Sequence, residues 1–283
     1  MNFRKRIKSA KRIVIKVVSS MVTYKNGHIN LERIDNLSRA ISDMVNSGKE
    51  VVLVSSGAVS AGFGKLRLKE KPDNIRETQA LSAIGQCELM HIYSKFFGEY
   101  SHIVGQILLT RDVLEDEHLK ENVCNTFELL LKKGVIPIVN ENDSVSIDEL
   151  ENIAKLGDND NLSALVSSLI NADLLIILSD IEGFYDCDPR KNKNAIMIKE
   201  IREFTEEMEK YAGKAGSDFG TGGMATKLKA AKTATSVGVD VILASGKNPC
   251  IIRNILRGED VGSLFVANKN RGEDKYGKFN ING

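Results

Sequence analysis

Two short, entirely aliphatic segments, residues 51–54 and 174–178, constrain the fold of this chain more than any other feature. Continuous apolar runs of this length are typical of strands buried on both faces of a parallel sheet. Further β-branched or apolar segments predict strands at residues 13–18, 103–109, 135–139, 239–244 and 263–266. Because Pro137 lacks a backbone N–H, we expect its strand to lie near a sheet edge or at a bulge.

Segments with helical spacing separate these strands. Apolar residues recur at intervals of three and four, which predicts helices at residues 31–46, 78–97, 122–133, 162–170, 225–237 and 251–257. Alternating strands and helices indicate an α/β protein, with a mostly parallel sheet and helices on both of its faces. Ligands of such sheets bind at the carboxyl ends of the strands. We therefore expect the functional residues to follow the strands directly.

The charge balance argues against a protein that works by bulk electrostatics. The 283 residues include 39 Lys and Arg and 38 Asp and Glu, for a net charge of +1. This excludes neither small anions nor nucleotides, but it does not favour binding to nucleic acid or to a membrane surface. The basic segment at residues 4–12 precedes too few apolar residues for a signal peptide, and we interpret it as solvated chain leading into the first strand. A targeting or tail role is the alternative.

The cysteines indicate the redox state of the cellular compartment. Cys87, Cys124, Cys187 and Cys250 are scattered, without the spacing of a zinc site. They predict reduced thiols in a cytoplasmic protein. No window is apolar enough to predict a membrane span.

Small and basic residues follow the first two strands. Lys16 lies inside an apolar strand, where a charge is unfavourable unless it faces a ligand or an opposite charge. The alternative is an edge strand whose lysine points to solvent. Ser56 and Gly57 belong to a turn of small residues that opens a helix, and such a turn lets backbone N–H groups approach an anion. Close packing of the turn would explain it equally well.

Two clusters of amides and carboxylates lie further along the chain. Asn140 and Asp143 follow the fourth predicted strand, and together they can hold an ammonium group and a carboxylate. An Asx-turn is the alternative. Asp158, Asn159 and Asp160 precede an apolar helix. Carboxylates there can hold lysine side chains or coordinate Mg²⁺, whereas a plain N-cap is the alternative.

The C-terminal half carries a glycine-rich loop. Residues 220–227 read Gly-Thr-Gly-Gly-Met-Ala-Thr-Lys and run into a helix with Lys227 in its first turn. Glycines let a backbone wrap phosphate oxygens, and a helix N-terminus favours negative charge. The loop does not match the P-loop pattern, and a flexible hinge is the alternative. Ser179 and Asp180 follow the strand predicted at residues 174–178 and precede a glycine turn, and such a strand end can line a nucleoside pocket. An ordinary loop is the alternative.

Together these motifs resemble the amino-acid kinase family, and within it the members that phosphorylate free L-glutamate. The resemblance spans residues 12–265, and its most specific motifs are NEND at 140–143, GDND at 157–160 and GTGGMATK at 220–227. It implies a three-layer αβα sandwich with an open, mostly parallel central sheet of about eight strands. A kinase domain would span residues 1–267, with the amino-acid site in its N-terminal half and the nucleotide site in its C-terminal half. Residues 268–283 would form a polar tail.

The resemblance also implies roles for individual residues. Lys16 and Lys227 would bracket the transferring phosphoryl group, with Asp160 orienting the two lysines and Asp158 beside it. The substrate-binding positions would be Ser56, Gly57, Asn140, Asp143 and Asn159. The nucleotide-binding positions would be Lys16, Ser179, Asp180, Thr221, Gly222, Gly223, Met224, Ala225, Thr226 and Lys227.

The activity implied by the resemblance is ATP-dependent phosphorylation of the γ-carboxylate of L-glutamate. The product would be L-glutamyl 5-phosphate, and the reaction would open proline biosynthesis in the cytoplasm. Mg²⁺ would be held by the ATP phosphates rather than by a dedicated protein site. The resemblance further implies feedback inhibition by proline, a homodimer or homotetramer, and a glutamyl-phosphate reductase as partner. Neither nucleic acid nor membrane is expected as a partner.

Two departures from the family pattern affect this expectation. Val18 stands where the family has a glycine, and a β-branched residue resists positive φ and crowds a ligand. The sequence also ends too early for the PUA domain that many relatives carry, so we expect a short form without it. Two other functions therefore stay open: a sibling enzyme such as an acetylglutamate kinase, and a non-catalytic sensor of nucleotide or amino acid.

Overall fold

The computed structural model describes residues 3–70, 72–110, 113, 116–145, 159–214 and 223–267. The strands are β1 (Arg12–Val17), β2 (Glu50–Val54), β3 (Val104–Leu109), β4 (Ile136–Glu141), β5 (Leu174–Ser179), β6 (Glu200–Ile201), β7 (Asp240–Ser245) and β8 (Ser263–Phe265). The helices are α1 (Phe3–Ile7), α2 (Ser19–Val22), α3 (Leu31–Asn46), α4 (Ala58–Lys65), α5 (Ile75–Glu99), α6 (Glu117–Lys132), α7 (Asn159–Leu169), α8 (Glu206–Lys214), α9 (Met224–Ser236) and α10 (Ile251–Leu256). The proposed tail, residues 268–283, lies outside the described residues.

The strands form one open sheet of eight strands in the order β3-β4-β2-β1-β5-β7-β8-β6. The pairings are parallel except that of β7 with β8, which is antiparallel. The predicted mostly parallel sheet is therefore confirmed. Pro137 is accommodated as expected, because β4 lies next to the edge strand β3 and its pairing with β2 begins only at Ile138.

Alternating strand residues face two separate cores, which makes the protein a three-layer sandwich. Ile13 and Ile15 of β1 pack with α3, α5 and α10 on one face. Val14 packs with α6, α7 and α9 on the other face. The period of two along a strand thus places Lys16 on the same face as Val14, toward α7 and α9.

The sequence predicted the long elements well and the short ones poorly. Each predicted strand and helix is present, with ends that differ by at most five residues. The elements that the pattern missed are α1, α2, β6 and α8, which are short. The helix expected after the turn at Ser56 and Gly57 is α4. Among the described helices, none combines the length and the apolar character needed to cross a membrane.

The interpretation of residues 4–12 as solvated chain is wrong for Arg4. This side chain is buried, and its guanidinium donates to the carbonyl oxygens of Glu259, Val261, Lys199 and Gly262 at 2.8–3.0 Å. A guanidinium has five N–H donors and can satisfy several carbonyls at once. Arg4 therefore joins α1 to the segment that leads into β8, instead of extending into solvent.

Helices α4 and α5 approach each other through glycines. A Cβ built on Gly85 of α5 would lie 1.7 Å from the carbonyl oxygen of Ala58, the first residue of α4. A Cβ on Gly62 of α4 would lie 2.0 Å from the carbonyl oxygen of Leu81. Both distances are far below van der Waals contact, so each position requires glycine. This close approach brings α5 against the turn that contains Ser56 and Gly57.

Replacing Gly85 should therefore destabilise the protein, whereas replacing Gly98 in the same helix should not. We expect Gly85→Ala to lower the free energy of unfolding by about 1–3 kcal/mol, the range for overpacking. A Cβ on Gly98 meets no atom within 4 Å, so Gly98→Ala should be neutral or stabilising by about 0.5–1 kcal/mol. Urea denaturation of both variants measures the difference, and equal stability of the two would contradict the packing described.

Candidate active site

Lys16 and Lys227 meet at one buried carboxylate. Lys16 Nζ lies 2.6 Å from Asp160 Oδ1, and Lys227 Nζ lies 3.1 Å from Asp160 Oδ2. The exposed fractions of the three side chains are 5%, 4% and 1% respectively for Lys16, Lys227 and Asp160. Lysine and aspartate are almost never this deeply buried unless they are paired. The alternative of a solvent-facing lysine on an edge strand is wrong, since β1 lies between β2 and β5 in the middle of the sheet.

Three different elements supply this cluster. Lys16 is the penultimate residue of β1, Asp160 lies in the first turn of α7, and Lys227 lies in the first turn of α9. Thr226 adds a hydrogen bond from its Oγ1 to Asp160 Oδ2, at 3.0 Å. The cluster therefore holds the end of a central strand and the N-termini of two helices in fixed relation. Helix N-termini favour negative charge, so an anion is the expected ligand between them.

The two lysines keep Asp160 ionised. Burial alone would raise the pKa of this carboxyl, but the charges and hydrogen bonds of Lys16 and Lys227 outweigh it and lower the pKa to about 2. Because the pKa in the folded state is below the ordinary value, the cluster stabilises the fold above about pH 4. That contribution is lost as the pH falls toward 2. At neutral pH, Asp160 is an anion that fixes both lysine side chains.

Asn159 connects the lysine cluster to the ends of β2 and β4. Its Nδ2 donates to the carbonyl oxygen of Ser55 at 3.1 Å, to Ser56 Oγ at 2.9 Å and to Asn140 Oδ1 at 3.0 Å. A backbone carbonyl can only accept, so Asn159 must turn its NH₂ group toward Ser55. Its Oδ1 faces the other way and is buried without a hydrogen-bond partner in the described part of the chain.

Asp143 offers a second buried acceptor. Its Oδ2 accepts a short hydrogen bond from Ser82 Oγ on α5, while its Oδ1 has no partner among the described residues. Burial raises the pKa of this carboxyl, and the hydrogen bond from Ser82 offsets part of the rise. Unsatisfied buried acceptors are rare in folded proteins. Asn159 Oδ1 and Asp143 Oδ1 therefore indicate a ligand with several N–H donors.

The turn after β2 requires its glycine. Gly57 has φ 101° and directly precedes α4, and a Cβ there would lie 2.6 Å from Val22 Cγ2. Ser56 is buried and accepts from Asn159. A positive φ and a close contact together explain glycine at this position. The turn places the N-terminus of α4 beside Asn159, which precedes Asp160 in the sequence.

The proposed nucleotide residues lie on the other side of β1. Ser179 ends β5 and donates from its Oγ to Asp180 Oδ1 at 2.9 Å. Gly223 is the N-cap of α9, and Met224, Ala225 and Thr226 form its first turn with Lys227. These residues belong to β5 and α9, whereas Ser56, Asn140 and Asp143 follow β2 and β4. Asp158, Thr221 and Gly222 lie outside the described residues.

Val18 does not strain the turn after β1. Its backbone is extended, with φ −85° and ψ 158°, and it precedes the short helix α2. Val18 therefore adopts no positive φ, and its effect on a bound ligand stays a prediction. Its side chain is half-buried and packs against the core formed with α3, α5 and α10.

Sequence reasoning missed three polar residues of α5. Ser82, Gln86 and Tyr93 contact Asp143, Asn140 and Ser55 respectively, all at the ends of β2 or β4. Their spacing of four and seven residues places them on one helical face. Polar residues on the buried face of a predicted helix were the available signal.

Comparison with known proteins agrees with this geometry. Residues 11–245 match the family model described as "Amino acid kinase family". A "Glutamate 5-kinase" of Clostridium perfringens is 66% identical over 94% of this chain and 99% of its own length. A "Glutamate 5-kinase" of Listeria innocua is 55% identical over 94% of this chain and 96% of its own. The crystal structure of UMP kinase from Ureaplasma parvum has the same fold, with a TM-score of 0.63 and 14% identity over 91% of this chain and 99% of that one.

The chain therefore belongs to the amino acid kinase family. Its central sheet with helices on both faces is the fold of that family, and the expectations of an α/β sandwich and of a kinase are confirmed. The roles of the individual site residues stay predictions.

The environment of Asp143 predicts how its ionisation responds to mutation. Because Ser82 lowers the pKa of Asp143 against the effect of burial, Ser82→Ala should raise that pKa further. Carboxyl-carbon NMR titration measures it, with Ser94→Ala as control, since Ser94 is exposed on the same helix. We expect Asp143 to titrate above an ordinary aspartate in the control and higher still in Ser82→Ala. An unchanged pKa in Ser82→Ala would contradict the hydrogen bond.

Proposed function

We propose that this chain transfers the terminal phosphate of ATP to the γ-carboxylate of L-glutamate. The product is L-glutamyl 5-phosphate, and the reaction is the first step of proline biosynthesis. The relatives named "Glutamate 5-kinase" support this, because they match nearly the whole of this chain at 66% and 55% identity. The observation that carries the proposal is the pair of buried lysines held by Asp160 directly beside Asn159.

The lysine cluster suits the phosphoryl group. Two ammonium groups from β1 and α9 converge on one carboxylate, at the N-termini of two helices. Phosphoryl transfer needs little covalent participation by the protein, and catalysis consists mainly of positioning and of electrostatic stabilisation. Lys16 and Lys227 would neutralise charge on the phosphoryl oxygens, and Asp160 would fix the direction of both lysines.

The substrate side suits a free amino acid. Asn159 Oδ1 and Asp143 Oδ1 are buried acceptors that lack partners in the described part of the chain. An ammonium group has three N–H donors and a positive charge, so it can satisfy both oxygens. The turn at Ser56 and Gly57 opens helix α4 and suits a carboxylate. Asn140, which contacts Asn159, completes this set of residues.

The substrate carboxylate is the nucleophile in this mechanism. One of its oxygens forms the new bond to phosphorus while the bond from phosphorus to the bridging oxygen of ATP breaks, and ADP leaves. No side-chain nucleophile is required. The difficulty is repulsion between a carboxylate and a polyphosphate, which the two lysines would reduce.

Ser179, Asp180 and the first turn of α9 would bind the nucleotide. The backbone N–H groups of that turn, which follows the N-cap Gly223, would bind phosphate oxygens, and Thr226 contacts Asp160 directly. Among the described residues, no three His, Cys, Asp or Glu side chains form a metal-binding group. As in the sequence-based expectation, we assign Mg²⁺ to the phosphates of ATP, where it would add further charge neutralisation.

The proposal has consequences for regulation and partners. Proline carries an α-ammonium and an α-carboxylate like glutamate, so it could occupy the same acceptors at Asn159 and Asp143 and inhibit the enzyme. An acyl phosphate is labile, which favours a reductase that consumes it. A homodimer or homotetramer and a cytoplasmic location are part of the proposal, the latter because all four cysteines are free thiols.

The two alternatives are less well supported. An acetylglutamate kinase would place an amide, with a single N–H and no charge, against two buried acceptors. A non-catalytic sensor is favoured only by Val18, and the extended backbone of this residue removes one of its two grounds, the need for positive φ.

A glutamate-dependent ADP-release assay tests the proposal. We expect turnover with L-glutamate, inhibition by proline, and kcat/KM at least about a hundredfold lower with N-acetyl-L-glutamate, because acylation leaves buried acceptors unsatisfied. Equal or better turnover of N-acetyl-L-glutamate would favour the sibling activity. Binding of ATP and glutamate without ADP release would favour the sensor.

A further inference from the structure

Helix α5 carries a polar face that holds the amino-acid half of the site. Ser82 donates to Asp143, and Tyr93 shares a 2.8 Å hydrogen bond with Ser55. Between them, Gln86 Oε1 accepts from Asn140 Nδ2 at 2.8 Å. One helix thus contacts the end of β2 and two positions at the end of β4. Ser82 contacts a carboxylate, which can only accept, and Tyr93 contacts a hydroxyl, which can donate or accept. Gln86 contacts an amide, which presents an acceptor at one end and donors at the other.

The amides of Asn159, Asn140 and Gln86 form a chain with a fixed direction. The carbonyl of Ser55 accepts from Asn159, which sets the NH₂ group of Asn159 toward β2 and β4. Asn140 must then present its Oδ1 to Asn159 and its NH₂ group to α5. Gln86 completes the chain by presenting an oxygen to that NH₂ group. At the opposite end, the direction leaves Asn159 Oδ1 as an acceptor without a partner among the described residues.

Gln86 is the only member of this amide chain that is not deeply buried. Asn140 and Asn159 are each 3% exposed, so neither can exchange its partner for solvent. Without the oxygen of Gln86, an N–H donor of Asn140 is left buried and unsatisfied, which is unfavourable. Rotation of the Asn140 amide would turn that donor away from α5. Reorientation of Asn140 would set two NH₂ groups against each other and disturb Asn159.

The helix itself is held in place by other contacts. Gly85 lies against the carbonyl of Ala58, and Leu89, Tyr93 and Phe97 lie in the core on the face of α3, α5 and α10. Removing the amide of Gln86 therefore leaves the position of α5 unchanged. Its effect should be confined to the direction of the amides.

We propose that Gln86 is a positioning residue for amino-acid binding, which acts by accepting the Asn140 N–H that the direction set at Ser55 turns toward α5, and so holds the Asn140 and Asn159 amides in that direction. This rests on the proposed function, since the ligand of Asn159 Oδ1 is taken to be the ammonium group of L-glutamate. Gln86 has no contact with the lysine cluster among the described hydrogen bonds. It should therefore affect glutamate and leave ATP unaffected.

Two replacements of Gln86 separate the acceptor from the shape of the side chain. Gln86→Met keeps the length but removes the acceptor, whereas Gln86→Glu keeps an acceptor for Asn140. We expect Gln86→Met to raise KM for glutamate roughly three- to tenfold, as for one lost neutral hydrogen bond. KM for ATP and Tm should stay near the wild-type values. Gln86→Glu should remain within about twofold of wild type.

Steady-state ADP release at varied glutamate and at varied ATP, with a thermal melt of each variant, provides these readouts. Wild-type protein that shows no glutamate-dependent ADP release refutes the proposed function itself. With an active wild type, an unchanged KM for glutamate in Gln86→Met overturns the role of Gln86. A loss of Tm together with equal changes in both KM values overturns it as well, because it indicates a structural role. If Gln86→Met does not fold, Gln86→Ala carries the same test, since alanine is the strongest helix former.

Discussion

The contact of Lys16 and Lys227 with Asp160 is the interaction on which the rest of the site depends. Two ammonium groups and a carboxylate are buried together, and a buried charge is strongly unfavourable without a partner. Each charge therefore fixes the others, and with them the end of β1 and the N-termini of α7 and α9. The same contact that permits these residues to be buried places two cations where the proposed mechanism needs them. Asn159, adjacent to Asp160 in sequence, extends this arrangement to the amino-acid residues after β2 and β4.

The amino-acid side works by leaving selected acceptors unsatisfied. Most polar atoms of Asn140, Asn159 and Asp143 are fixed by hydrogen bonds to β2, β4 or α5. In the proposed function, a free ammonium group satisfies Asn159 Oδ1 and Asp143 Oδ1, which lack partners among the described residues. Because a buried acceptor is unfavourable until it is paired, such a site discriminates against ligands without enough donors. Burial also raises the pKa of Asp143. As the pH falls through that pKa, Asp143 loses its negative charge and would bind a cation less tightly.

Much of this could be predicted from the sequence, and the limits have physical causes. Aliphatic runs predict buried parallel strands, and with them the sheet. Because ligands bind at the carboxyl ends of such strands, the same pattern predicts that Lys16 and Lys227 lie near that edge. The period of two places Ser55 and Asn140 toward α5, and with helical spacing it could have revealed Gln86. Arg4 was beyond prediction, because its partners are backbone carbonyls about 200 residues or more away in sequence. The end of helix α4 could not be predicted because its glycines disfavour a helix locally, and contact with α5 stabilises it nonetheless.

The turnover of Lys227→Met at saturating ATP and glutamate tests most directly whether the phosphoryl group is transferred between the two lysines. Methionine keeps the length of the side chain and removes the charge. The proposed mechanism predicts that kcat falls by about 10²–10³-fold, as when one electrostatic donor is lost from a transition state. Lys229→Met, at an exposed position on the same helix, should leave kcat unchanged. Full turnover by Lys227→Met would contradict the mechanism.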